Sequence, residues 1–116
     1  MPRKVDDYEV FTRAHRLTLD VYRLTRRFPK EEVYSLVSQM RRAAYSIPMN
    51  LKEGSGGTEA EFFRYVRIAL GSREELDYQL RLARDLRYIT DDECNRLSTE
   101  LAEIGRMLYG IIRKSK

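Results

Sequence analysis

The sequence is poor in the residues that interrupt helices and in those that build catalytic or metal sites. Its 116 residues include three prolines, six glycines, one cysteine, one histidine and no tryptophan. So few prolines and glycines argue against a fold of many short strands and turns, and they favour long helices. The single cysteine, Cys94, excludes an internal disulfide and a cysteine metal cluster.

Long apolar runs are also missing. No stretch approaches the ~20 consecutive apolar residues that a membrane-spanning helix needs. The first seven residues, MPRKVDD, are charged and lack the apolar segment of a secretory signal. We therefore expect no membrane association, and a cytoplasmic, reducing compartment for the lone thiol.

The charge is basic and unevenly distributed. The net charge is +4, from 22 Lys and Arg against 18 Asp and Glu. Residues 1–58 carry 11 cations and 7 anions, whereas residues 59–116 carry 11 of each, so the whole excess belongs to the first half. A basic surface favours anionic partners such as nucleic acid, although an excess this small also fits an ordinary solvated surface.

Four segments show apolar residues at alternating spacings of four and three, the pattern of a helix with one buried face. They predict helices over about residues 7–27, 31–53, 58–87 and 90–113, joined by short connections within a single domain of residues 1–116. This arrangement is typical of an all-α protein. We predict an up-down-up-down antiparallel four-helix bundle with left-handed, coiled-coil-like packing.

The boundaries of these helices have local causes. Phe28-Pro29 ends the first helix, and the glycine-rich run at residues 54–57 ends the second. Thr58 with Glu61, and Thr90 with Glu93, have the spacing of capping boxes.

Pro48 falls inside the second helix and removes one backbone donor. We therefore expect a kink near residues 44–46, with the polar groups of Ser46 and Asn50 serving the freed backbone.

The sequence offers no catalytic constellation. His15 is the only histidine, which excludes a di-iron bundle, and a partly exposed, hydrogen-bonded histidine is the favoured interpretation over a catalytic one. Cys94 is best interpreted as a small buried residue. Gly54-Ser55-Gly56-Gly57 precedes a helix N-terminus but lacks the lysine of a phosphate-binding loop, so a flexible connection is favoured over an anion site. We expect no enzyme activity, no cofactor and no metal.

The cations of the first three helices are the candidate nucleic-acid-binding residues, because arginine and lysine contact phosphates. They are Arg23, Arg26, Arg27, Arg41, Arg42, Lys52 and Arg64. The alternative for each is a solvated helix face. Eight tyrosines also stand out, and a place at an interface or at the edge of the core is favoured over stacking on bases.

The spacing of polar and small residues along the chain is similar to that of a known family. The matching residues are Phe28-Pro29, Glu32, Leu36, Gln39, Arg41-Arg42-Ala43-Ala44, Ser46-Ile47-Pro48, Asn50, Glu53-Gly54, Phe63, Ile68-Ala69, Gly71-Ser72, Glu75-Leu76 and Leu80. They resemble the four-helix bundle proteins of the 23S rRNA intervening-sequence family over roughly residues 10–112. Met49 and Lys52 depart from the family pattern, which has smaller residues at these positions.

This resemblance implies a four-helix bundle that assembles into a ring-like homopentamer and has no established enzyme activity. It also implies a relation to the accessory variability proteins of retroelements, which bind a reverse transcriptase and nucleic acid. By resemblance, Arg41 and Arg42 are the best candidates for a shared role.

The residues and the resemblance together lead to one main functional hypothesis. We expect a non-enzymatic, basic, homo-oligomeric scaffold that binds RNA or DNA through phosphate contacts. The alternative is a protein-interaction adaptor, for example an accessory partner of a reverse transcriptase.

Overall fold

Four long helices form the structure, a computed structural model that describes residues 8–114. In chain order they are α1 (Glu9–Thr25), α2 (Ser38–Gly54), α3 (Glu59–Asp85) and α4 (Asp91–Arg113). Consecutive helices pack against each other, α4 also packs on α1, and the bundle measures 46 × 23 × 20 Å. The predicted all-α four-helix bundle is confirmed.

The helix ends agree with the local signals to within two residues where those signals are strong. Thr58 and Thr90 each accept a hydrogen bond from the backbone of the glutamate three residues later, whose carboxylate bonds back, so both capping boxes are formed. Helix α1 ends at Thr25, two residues before the predicted end. The predicted start at Asp7 lies outside the described residues.

The start of the second helix differs from the prediction of a continuous α-helix from residue 31. A 3₁₀ turn at Lys30–Glu32 leads into a π-helical turn at Val33–Val37, and regular α-helix begins only at Ser38. A π turn holds more residues per turn, so it shifts the phase of the buried face. Leu36 and Val37 are consequently both buried, while Val33 is 44% exposed, although its place in the four-and-three spacing of the second segment predicts a buried side chain.

The core is one continuous apolar cluster that all four helices supply. The apolar residues that follow the four-and-three spacing in the four segments are buried, apart from Val33 and the half-buried Ile111. Cys94 is buried as predicted, with its thiol 3.7 Å from the carbonyl oxygen of Leu80. His15 is exposed.

Helix α2 is continuous through Pro48. Proline has no N–H to give to the carbonyl four residues earlier, which is that of Ala44. The Thr18 hydroxyl of α1 reaches that carbonyl at 3.2 Å and also lies 2.8 Å from the Ala14 carbonyl. A neighbouring helix therefore supplies the donor that proline removes. Asn50 serves the next turn, donating to the Ser46 carbonyl at 2.7 Å.

Helices α2 and α3 approach each other closely because small residues face each other across their contact. The Ser46 and Ser72 hydroxyls share a hydrogen bond of 2.8 Å. At the end of α2, a Cβ added to Gly54 would lie 2.7 Å from the Cβ of Tyr65, closer than carbon atoms tolerate. Glycine is thus required there by contact and not by backbone conformation.

The bond from Thr18 to the Ala44 carbonyl can be tested with Thr18→Val, which keeps the side-chain shape. We expect the free energy of unfolding to fall by about 1–3 kcal/mol, because a buried carbonyl loses its donor. Urea unfolding followed by circular dichroism measures the change. Pro48→Ala restores a backbone N–H for the same carbonyl, so Thr18→Val should cost much less in that background. Equal costs in the two backgrounds would contradict this role of Thr18.

The close approach of α2 and α3 predicts opposite effects for two glycine substitutions. Gly54→Ala should lower the free energy of unfolding by about 1–3 kcal/mol, because the helices must separate to admit the methyl group. Gly71→Ala, whose added Cβ meets nothing within 4 Å, should raise it by about 0.5–1 kcal/mol through helix propensity. Thermal melts of both variants give the comparison, and a stabilised Gly54→Ala protein would show that the contact is not tight.

Candidate nucleic-acid interface

The candidate cations predicted from the sequence occupy three different parts of the bundle. Arg23, Arg26 and Arg27 lie at the C-terminal end of α1, whereas Lys52 and Arg64 flank the connection between α2 and α3. In an up-down bundle these two groups lie at opposite ends. Arg41 and Arg42 lie between them along α2, so the seven residues do not form one surface.

Arg41 is engaged inside the molecule. Its Nε donates to the Thr25 hydroxyl at 2.9 Å, and its Nη2 donates to the Tyr22 carbonyl at 3.3 Å. The guanidinium also lies 4.6 Å from the centre of the Tyr22 ring. Because Tyr22 is in the last turn of α1, where carbonyls lack helix partners, Arg41 caps that helix end. The side chain is half-buried and contacts backbone and hydroxyl groups, with no carboxylate among its partners.

Arg42, next to it, points to the other side of α2 and is exposed. Its Nη2 donates to Gln39 at 3.0 Å and to the Glu75 carboxylate of α3 at 3.3 Å. An exposed pair of this kind adds little stability, and the carboxylate offsets the arginine charge. The two arginines of this dipeptide therefore have different surroundings and different roles.

At the end of α1, two of three arginines are paired. Arg23 contacts Asp20 at 2.7 Å, and Arg27 is paired with Glu93 of α4. Arg26 is exposed and has no such partner among residues 8–114. The hydrogen bond from Arg27, followed by the backbone bond at Thr90, lowers the pKa of Glu93. This pair therefore contributes stability at neutral pH, and the contribution is lost as the pH falls through the lowered pKa.

Two more arginines, which were not among the candidates predicted from the sequence, lie at this end of the bundle. Arg84 and Arg87, from the end of α3, line a shallow pocket with Arg27 and Tyr88. Arg87 has a φ of 66°, in the left-handed region that glycine usually occupies at a helix end. The backbone N–H of Tyr88 donates to the Ala83 carbonyl at 2.9 Å, which completes this helix stop. In an up-down bundle the connection between α3 and α4 lies beside the end of α1. The topology alone could therefore have placed Arg84 and Arg87 at this end.

A tyrosine–carboxylate bond fixes the same connection to the chain before α2. The Tyr88 hydroxyl donates to Glu32 at 2.8 Å. The bond raises the pKa of Tyr88, and the bond from Ser35, followed by that from Tyr88, lowers the pKa of Glu32. The positions of Arg84 and Arg87 are thereby tied to the rest of the bundle. We call the surface of Arg26, Arg27, Lys30, Arg84 and Arg87 the basic end. Arg84 is half-buried and paired with Asp85 at 3.1 Å, and Asp91 lines the same pocket.

The two candidate cations at the opposite end lie over aromatic rings. The Lys52 amine is 5.9 Å from the centre of the Phe11 ring, and the Arg64 guanidinium is 4.7 Å from that of Tyr65. Both side chains are exposed, and each ring face attracts the cation above it.

Residues 8–114 contain no cluster of three His, Cys, Asp or Glu side chains that could hold a metal ion. Over the same residues, no helix has the length and apolar character needed to cross a membrane.

The fold and its surface define a four-helix bundle with exposed cations at both ends and along its sides. The chain matches the family described as 23S rRNA-intervening sequence protein over residues 6–110, and it belongs to that family. A crystal structure of a protein with unknown function from the S23 ribosomal protein family of Bacteroides thetaiotaomicron has a similar fold. The two chains are 24% identical, with a TM-score of 0.82 over 90% of this chain and 95% of that one. No curated protein matches the chain.

The different roles of Arg41 and Arg42 can be separated by substitution. Arg41→Gln should lower the free energy of unfolding by about 1–3 kcal/mol, because it removes the cap of α1. Arg42→Gln, a matched change one residue away, should alter it by no more than about 0.5 kcal/mol. Urea denaturation of both variants provides the measurement. Similar stabilities would mean that Arg41 does not hold the end of α1.

Proposed function

We propose that this protein is a non-enzymatic, homo-oligomeric scaffold that binds RNA or DNA through phosphate contacts at its basic end. The supporting observation is the convergence there of cations from two distant parts of the sequence. Arg26, Lys30 and Arg87 are exposed and have no ion-pair partner among residues 8–114, so they are available to phosphates without breaking an internal bond.

The shape and charge of the basic end determine how we expect it to bind nucleic acid. Within the described residues 8–114, the connections at the basic end present arginines and a lysine, with no projecting helix or strand pair to enter a groove. Such a surface contacts the backbone of nucleic acid and carries little base readout. Binding should therefore depend strongly on salt and weakly on sequence.

Assembly of several copies would strengthen this weak attraction. One chain carries +4, so a pentamer of the kind implied by the family resemblance would carry about +20. Several basic ends on one particle would also bind one polyanion together, which raises the effective affinity.

A second candidate function, a protein-interaction adaptor such as an accessory partner of a reverse transcriptase, is favoured by exposed aromatic side chains. Tyr34, Tyr78 and Tyr109 are 95%, 61% and 51% exposed. Tyrosine on a surface is typical of protein interfaces. Co-purification of a stable protein partner from the native host would support this function.

Charge reversal at the basic end tests the main proposal. Arg26→Glu with Arg87→Glu should weaken binding to a labelled RNA hairpin or DNA duplex at least tenfold at low salt. It should also reduce the slope of log affinity against log salt by about two, because two phosphate contacts are lost. Fluorescence anisotropy titrations between 50 and about 200 mM salt measure both quantities.

The matched control is Arg16→Glu with Arg67→Glu, which makes the same change of charge at exposed positions away from the basic end. We expect this control to weaken binding less and through general electrostatics alone. Equal losses in the two variants would contradict the basic end as the site. Absence of binding by the wild-type protein at low salt would reject nucleic-acid binding altogether.

A further inference from the structure

A groove between the start of the second helical segment and α3 has the size of a small-molecule site. We call it the α2–α3 groove, and its apolar walls are Tyr34, Leu36, Tyr78, Leu82 and Leu86. Its volume is about 690 Å³, within the range of roughly 300–1,000 Å³ that is typical of sites for small ligands. Such sites combine apolar walls with a few polar groups that select the ligand, so the polar groups of this groove indicate what it can bind.

The charged side chains that line the groove are carboxylates. They are Glu32 and Glu75, and none of the described residues in this lining is Lys, Arg or His, although the chain carries +4. Hydrogen bonds from Ser35 and Tyr88 lower the pKa of Glu32, which is therefore ionised at neutral pH. Arg42, outside the lining, contacts Oε2 of Glu75 at 3.3 Å. Two carboxylates against this one exposed cation leave the groove negative.

A buried acceptor in the groove lacks a donor. Gln79 is 7% exposed, and its Oε1 has no hydrogen-bond partner among the described residues. A carboxylate can only accept, so it is the Nε2 of Gln79 that faces Glu75, at 3.5 Å. This contact is long for a hydrogen bond, so a closer donor can displace it and turn the amide. A ligand that brings an N–H group therefore removes the cost of the unpaired acceptor.

One wall of the groove is formed by the π turn at Val33–Val37. Turns of this kind are rare and are frequently found at functional sites. The turn carries Tyr34, whose side chain is 95% exposed, and Tyr78 of α3 in the same lining is 61% exposed. Rings this exposed add little to the stability of the chain, whereas the face of a tyrosine ring attracts a cation. The rings and the carboxylates thus favour the same class of ligand.

We propose that the α2–α3 groove binds a small organic cation, a primary ammonium joined to an apolar body the size of a phenyl ring. The ammonium would donate to Gln79 and to Glu75, where the carboxylate makes a charge-assisted bond. The apolar body would cover Leu36 and Leu82 beside the two tyrosines. The two carboxylates repel phosphate, so this site is separate from nucleic-acid binding and does not depend on the proposed function.

Three probes test the ligand class by isothermal titration calorimetry at neutral pH and low salt. Phenethylamine has both the ammonium and the apolar body, and we expect one molecule to bind per chain with a Kd of about 1 mM or lower. Phenethyl alcohol has the same body without the charge, and methylamine has the charge without the body. Each should bind at least about tenfold more weakly. Absence of saturable binding by phenethylamine, or equal affinity of either other probe, would overturn the proposal.

Three substitutions test whether phenethylamine binds in the groove. Gln79→Met keeps the length of the side chain and removes the acceptor, Glu75→Gln removes the charge, and Tyr34→Ser removes a ring. Each should weaken binding at least about threefold. Gln79→Met should not lower the melting temperature, because the acceptor that it removes is unpaired in the free protein. Tyr34→Ser should leave the fold intact, since that ring is almost fully exposed. Unchanged binding in these variants would overturn the site.

Glu53→Gln is the matched control, because it makes the same change of charge at an exposed position of α2 outside the groove. It should bind phenethylamine like the wild type. Equal losses in Glu53→Gln and Glu75→Gln would show attraction by general charge and would overturn the proposal. The basic-end variant, Arg26→Glu with Arg87→Glu, should retain phenethylamine binding, so the failure of this inference and the failure of the proposed function give different results.

Discussion

The close approach of α2 to α3 is the constraint on which the rest of the structure depends. Gly54 leaves no space for a Cβ beside Tyr65, and Ser46 and Ser72 bond directly between the helices. Residues this small bury little apolar area themselves, so their value lies in bringing two backbones together. The approach fixes α2 between α1 and α3, with one flank against each.

That central position explains why neighbouring residues of α2 behave so differently. Arg41 lies on the flank toward α1 and caps it, while Arg42 lies on the flank toward α3 and meets Glu75. Pro48 sits on the α1 flank as well, where Thr18 can serve the carbonyl that proline leaves without a donor. The role of a cation or a proline in this helix thus depends on which neighbouring helix its side chain faces. The position in the sequence alone does not reveal that role.

The features that could be predicted from the sequence are local or periodic. The capping boxes at Thr58 and Thr90 need only four residues each, and the apolar stripes follow from the helical repeat. The π turn at Val33–Val37 could not be predicted, because it adjusts two adjacent apolar residues to a core that other helices build. The donor for Ala44 comes from another helix, and Arg87 joins Arg27 only through the packing of α3 and α4 against α1. These contacts join residues that are far apart in the chain, and the spacing of apolar residues along the sequence does not predict such contacts.

The distribution of bonded and unbonded polar groups indicates which parts of the bundle can carry its function. Within residues 8–114 the core is apolar and the strongest polar contacts, such as the bidentate pair of Arg13 with Glu100, join helices to each other. Two buried polar atoms, Arg73 Nε and Gln79 Oε1, have no hydrogen-bond partner among these residues, while Tyr34 and the unpaired cation of Arg26 are exposed to solvent. An exposed aromatic ring gains free energy when another protein surface covers it, a buried acceptor gains it only from a hydrogen-bond donor, and an exposed guanidinium gains it from phosphate. The sides of the bundle and its basic end therefore suit different partners, and a single chain could engage both at once.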